Sequence, residues 1–171
     1  MRSMLPVPWS YIQDWNCTAC GICCKGFDVV LDFPEWVKIV KAYGVGFTEP
    51  GISRFYLKRK SDGTCAFLYN FYGKWLCALQ YMKPMACKLW PFKVSDKPKY
   101  GRPNEAVYPY GEGRKLYIYV DPSCIGLQWG APNQDFLNTT MTEFVDLALG
   151  LREKQFYSTS AIFRPGPRKL I

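Results

Sequence analysis

The residues that can do chemistry in this chain are its eight cysteines. Four stand within eight positions, Cys17, Cys20, Cys23 and Cys24, and four follow singly at Cys65, Cys77, Cys87 and Cys124. Two-residue spacings between Cys17 and Cys20 and between Cys20 and Cys23 let a tight turn aim successive sulfurs at one centre, as zinc knuckles and cluster-binding loops do. Gly21 fits such a turn because glycine takes positive φ without steric cost. In extended backbone, neighbouring side chains point to opposite sides, so Cys23 and Cys24 are expected not to serve one metal together. Two sites sharing the loop, or one site plus a thiol kept for chemistry, would meet that expectation.

The sequence contains no histidine. That excludes a Ser-His-Asp triad, a Cys-His protease pair, a mixed Cys/His zinc finger and a His-ligated Rieske centre built from this chain. All-sulfur ligation remains, and soft thiolates favour zinc, copper(I) and iron-sulfur clusters over magnesium or calcium. Cys17, Cys20 and Cys23 also reproduce the first three positions of a bacterial ferredoxin run, but Cys24 follows at once where the fourth should come three residues on. This argues against a ferredoxin fold and leaves a four-iron cluster open.

The 171 residues, 49% hydrophobic and 17% aromatic, suit one globular domain with a real core. No apolar run approaches a membrane span, and the opening residues do not read as a secretion signal, so the expected compartment is cytoplasmic. A reducing compartment keeps thiols available for metals instead of disulfides. The formal charge of +8 favours contact with nucleic acid, an anionic membrane or an acidic protein. Its clusters lie at Lys58, Arg59 and Lys60, across Lys93 to Arg102, at Arg114 and Lys115, and in a basic tail over residues 158–171.

The elements that must position the thiols follow from pattern. Trp9, Tyr11, Ile12 and Trp15 are expected to pack over the metal loop. Phe27 to Leu31 reads as a strand. Asp32, Pro34 and Glu35 open a helix with Trp36, Val37, Val40 and Tyr43 on its core face, stopped by Gly44. Residues 45–63 read as irregular. Residues 63–69 and 74–79 form a hairpin around a turn at 70–73, bringing Cys65 near Cys77. Pro84 opens one helical turn carrying Cys87, and Pro91 ends it. Lys115 to Val120 alternates as a strand feeding Cys124, and the tyrosines beside the Lys93 to Arg102 stretch are expected to pack on the sheet. Asn133 caps a second helix over about 133–154, with Phe136, Leu137, Phe144, Val145, Ala148 and Leu151 on one face.

The ordered set Cys17-x2-Cys20-Gly21-x-Cys23-Cys24, Gly63-x-Cys65-x-Phe67-Leu68, Cys77, Lys83-Pro84-x2-Cys87-Lys88-x-Trp90-Pro91-Phe92 and Cys124-x-Gly126 resembles the cysteine-cluster family, named for its CxxCxxCC box. Members of that family are described as zinc- or iron-chelating. The resemblance runs from about residue 16 to 126 and implies that all eight thiols are metal or cluster ligands. Lys83 and Lys88 stand where the family commonly has arginine, and lysine lacks the planar bidentate contact. A related cysteine-rich region occurs in flagellin lysine methylases. This resemblance implies an alternative role as a protein-modifying enzyme, with Cys24, Asp28 or Asp62 as the reactive group.

The expected architecture is therefore α+β, a single domain with a small, mostly antiparallel sheet and two principal helices, organised around a cysteine-ligated metal centre. The expected function is metal binding with a 4Fe-4S cluster in a redox or electron-transfer role. The other readings are a zinc-stapled module binding RNA or the ribosome through Lys58, Arg59, Lys60 and the tail, and the methylase-related enzyme.

Overall fold

A computed structural model of the chain describes residues 4–111 and 113–157, so the expected basic tail lies outside the described residues. The architecture is α+β, with small antiparallel sheets and short helices. Two compact units divide the chain: one joins the segment up to Thr18 to the segment from Pro91 onward, and the other is the continuous stretch Ala19–Trp90. Among the described residues no helix is long and apolar enough to cross a membrane.

The discontinuous unit is built on the strand Arg114–Val120, whose Leu116, Ile118, Tyr119 and Val120 are buried. This strand pairs antiparallel with Phe92–Ser95, placing Tyr117 opposite Ser95 and Val120 opposite Phe92, and also with Val107–Tyr110. Val7–Pro8 joins it with Val7 opposite Val120. A separate ladder sets Ile12–Trp15 against Leu127–Trp129. Asn16 donates its N–H to the Gly126 carbonyl at 3.1 Å, and any Cβ on Gly126 would overlap the Asn16 carbonyl oxygen. The aromatics ahead of the cysteines find partners in this unit. Trp15 lies edge-on to Phe92 and Phe144, and Trp9 donates to the Val107 carbonyl and meets Tyr108 edge-on. As expected, the basic loop's tyrosines lie on the sheet: Tyr100 meets Tyr119 edge-on at 5.1 Å.

Asn133 accepts from the Phe136 N–H at 2.7 Å and so begins the second helix where the sequence places it. The helix runs as a π-helical stretch Phe136–Met141 and then as α-helix Thr142–Ala148. It stops about six residues before the expected end, which leaves Leu151 exposed instead of on the buried face. The stop is Gly150, at φ +70, whose N–H donates to the Leu147 carbonyl at 3.1 Å while the Leu151 N–H donates to the Asp146 carbonyl at 2.8 Å. Beyond it the chain is held by Glu143, which is fully buried. Its Oε2 accepts the N–H groups of Phe156 at 2.7 Å and Tyr157 at 2.9 Å and an Arg152 guanidinium N–H at 3.2 Å, so the chain turns back around a carboxylate. Wide helical turns shift the phase as well, and Met141 and Leu147 join Phe136, Phe144 and Val145 in the core.

In the Ala19–Trp90 unit, the helix Phe33–Tyr43 starts on a full capping box. Asp32 accepts from the Glu35 N–H at 2.7 Å, and Glu35 accepts from the Asp32 N–H at 3.0 Å. Gly44 ends the helix as predicted. The core face differs from the expected one: Ile39 is the fully buried residue and Tyr43 is exposed, while Trp36 stacks on Phe55 at 4.4 Å. The strand expected over 27–31 is only Val30–Leu31. It pairs with Phe55–Leu57, which also pairs with Thr48–Pro50, so residues expected to be irregular supply two strands of a three-stranded sheet.

Candidate functional site

Each thiol of the Ala19–Trp90 unit is presented by a locally specified element. Gly21, at φ +75, caps the helix Ile22–Gly26 that carries Cys23 and Cys24. Its Cα lies against Trp75, so a Cβ there would come within 2.9 Å of the Trp75 Cβ, and the Trp75 N–H donates to the Ala19 carbonyl at 2.8 Å. Gly21 is thus required by conformation and by space. Cys20 sits half-buried on this loop between two residues of positive φ, Ala19 and Gly21.

The reading that Cys23 and Cys24 face opposite ways is overturned. They occupy a helical turn, where successive side chains diverge by about 100° instead of 180°, and their sulfurs lie 3.8 Å apart.

Cys65 is buried, and its N–H donates to the Cys24 carbonyl at 2.8 Å. The hairpin is shorter than expected, Leu68–Phe71 with Lys74–Cys77. It closes through the two residues Tyr72 and Gly73, both at positive φ as a primed turn requires. Cys65 precedes its first strand and Cys77 ends its second, opposite Leu68. Cys87 rides the predicted turn after Pro84, the helix Met85–Leu89, whose first N–H donates to Glu35 at 2.6 Å. Cys65 belongs to an apolar cluster with Val29, Leu31, Ile39 and Phe67, and Cys24, Cys77 and Cys87 pack against it.

Charge couples these sulfurs. Cys23 is lowered to about 7, first by the hydrogen bond from Cys24 and also by the Lys83 ammonium, against the opposing effect of burial. Cys24 is raised by that same hydrogen bond, by burial, and by Cys23, Cys77 and Cys65. Burial raises Cys65 and Cys77, and it raises Cys87 strongly, with Cys77, Cys23 and Cys65 adding to the effect. Five thiols from four chain segments therefore lie within reach of one another's charge.

They are not set out as a ready ligand cage. Among the described residues no group of three or more Cys, Asp or Glu side chains is placed to hold a metal ion, and no disulfide joins the cysteines. Cys17 and Cys124 belong to the discontinuous unit, where the Trp15 indole N–H donates to the Cys124 sulfur at 3.2 Å.

Two residues of the basic triplet have structural work. Arg59 donates to the carbonyls of Gly63 at 2.7 Å and Phe27 at 2.8 Å and pairs with Asp28 at 2.9 Å. It thereby ties the segment after Cys24 to the turn before Cys65. Lys60 donates to the Leu68 carbonyl at 2.6 Å. Asp62 accepts from the N–H and hydroxyl of Thr64, which lower its pKa and make it a turn residue. Sequence reasoning missed the roles of Arg59 and of the second oxygen of Glu35, because both bind distant backbone and leave no periodic trace.

An α+β chain with a thiol-lined apolar unit is the class these features define. No family model matches the chain, and no curated protein or solved structure matches it significantly.

Proposed function

We propose that the Ala19–Trp90 unit binds an inorganic centre through its cysteine thiolates, and that this centre is a 4Fe-4S cluster. The observation that carries the reading is the meeting of Cys24, Cys65, Cys77 and Cys87 on one apolar cluster, with the Cys23 sulfur 3.8 Å from that of Cys24, although they come from four separate segments. Ionised together these sulfurs oppose one another, and a shared cation removes that opposition. A donor set of sulfur alone, with no histidine in the chain, suits soft metals. The resemblance to the cysteine-cluster family points the same way.

Four of the five thiols suffice for the cluster, and side-chain rotation must close them onto it. A cluster so held supplies one-electron redox chemistry. The chain itself contributes a helical turn that aims two sulfurs together, a buried Cys65, the Lys83 ammonium that offsets thiolate charge, and an apolar surround that limits water. Asp28 and Asp62, the carboxylates considered for a modifying enzyme, are engaged by Arg59 and Thr64, which favours binding and redox over group transfer.

Anaerobic purification with metal and sulfide analysis tests the reading. Brown protein with iron and acid-labile sulfide in near-equal amounts and a reversible one-electron reduction is expected. A colourless protein with one equivalent of zinc overturns the cluster, and a protein with no bound metal overturns the whole reading.

A further inference from the structure

We propose that the outward face of the Leu68–Phe71 and Lys74–Cys77 hairpin binds single-stranded nucleic acid. Residues opposite one another in an antiparallel pair share a face. Leu68, Cys77, Asn70 and Trp75 therefore lie on one side, of which Leu68, Cys77 and Trp75 meet the core cluster. The other side presents Tyr69, Phe71, Lys74 and Leu76. Leu76 is buried, so this side offers rings and one cation, not aliphatic knobs. Tyr69 is 44% exposed and Phe71 55%, standing two residues apart along the strand, about 7 Å. Lys74 lies directly opposite Phe71. At the tip, Tyr72 is 92% exposed and meets Phe71 edge-on at 4.7 Å.

Two further observations point to a ligand. Tyr72 holds φ +48, a conformation that primed turns ordinarily give to Asn, Asp or Gly, so a large aromatic is kept at the tip against local preference. The chain carries no Asp or Glu between Asp62 and Asp96, and Lys74 of the hairpin lies within that span. Flat rings beside lysine, with no carboxylate near in sequence, fit a polyanion with exposed bases. Stacking supplies sequence-tolerant affinity and lysine meets the phosphates. Two of the three residues of the alternative basic triplet, Arg59 and Lys60, donate to backbone carbonyls. This surface does not depend on what the thiols bind.

The test uses the full chain as purified. Fluorescence anisotropy is measured with labelled oligo-uridylate and oligo-thymidylate of about a dozen nucleotides and with a matching duplex. The single strands are expected to bind saturably and in preference to the duplex. Phe71→Ala and Tyr72→Ala should each weaken binding by about fivefold or more, and Phe71→Trp should retain it. Lys74→Gln should reduce the slope of log affinity against log salt by about 0.7. Circular dichroism should be unchanged in these exposed variants, and Tyr69→Ser serves as a second probe if one of them misfolds. No saturable binding, equal duplex binding, or ring variants that bind like the wild type would each overturn the proposal. So would capture by phosphatidylserine vesicles that is lost in Phe71→Ala while the oligonucleotides stay unbound, since that assigns the face to membrane.

Discussion

Replacing Arg59 by Met keeps the length of the side chain and removes its charge and its donors. Two short bonds disappear, to the carbonyls of Gly63 and Phe27, together with the ion pair to Asp28. The Asp28 side chain is 73% exposed, so the pair itself contributes about 0.5 kcal/mol or less. Each charge-assisted bond to a carbonyl contributes up to about 1.5–3 kcal/mol when buried. The Arg59 side chain is 28% exposed and water can reach the released carbonyls, so we take about 1 kcal/mol for each, or roughly 2–3 kcal/mol in all. The loss falls on the junction between the segments of Cys24 and Cys65, and labelling of Cys65 reads it out directly. A buried thiol reacts in proportion to the open population, so 2–3 kcal/mol corresponds to about a 30- to 160-fold faster alkylation of Cys65, resolved by peptide mass spectrometry. Asp28→Asn should accelerate it by about threefold at most, because only the exposed pair is lost. Arg59→Met labelling at the wild-type rate would refute the assignment of Arg59 as the tie between these loops.

Gly21→Ala should destabilise the Ala19–Trp90 unit by roughly 2–5 kcal/mol, through left-handed strain plus overlap with Trp75, seen as a lower denaturation midpoint. The double variant Cys65→Ser/Cys77→Ser, which leaves three of the five thiols, should abolish iron binding while Cys124→Ser leaves it intact, by metal analysis of each purified variant. After chelation Cys23 should be the first thiol alkylated by iodoacetamide, its rate rising through about pH 7, and Lys83→Met should move that inflection upward because a thiolate-stabilising cation is removed. Glu143→Ala should free the chain beyond the second helix, making residues 149–157 a site of rapid limited proteolysis at the cost of roughly 2–3 kcal/mol.

Local signals were legible and distant ones were not. Asp32 with Glu35, Asn133, Gly44 and Pro84 mark helix ends where the structure has them, because a cap is decided within a few residues. The strands Thr48–Pro50 and Phe55–Leu57 escaped notice because three residues are too few to display alternation. The second helix was drawn too long because Gly150, the left-handed residue that stops it, was passed over, and because the buried Glu143 then gathers residues 9 to 14 positions away. At the thiols, the hairpin was expected to carry Cys65 beside Cys77; Cys65 precedes its first strand, yet the two sulfurs lie near enough to feel each other's charge. The relation of Cys23 to Cys24 depended on whether the backbone there is helical or extended, which adjacency alone leaves open. Charge in sequence also does not reveal that Arg59 and Lys60 donate to backbone carbonyls while Lys58 stays exposed.

The interruption of the sheet unit by residues 19–90 has a consequence during synthesis. Val7 and Pro8 emerge first, yet their hydrogen-bonding partners Val120 and Tyr119 are translated roughly a hundred residues later. At about 5–20 residues per second this is a delay of roughly 5–20 s. The continuous segment leaves the ribosome whole within that interval and can mature while the amino-terminal strand is still waiting. A nascent chain arrested shortly after Trp90 has emerged should already protect Cys65 from alkylation, with Trp15 still solvated.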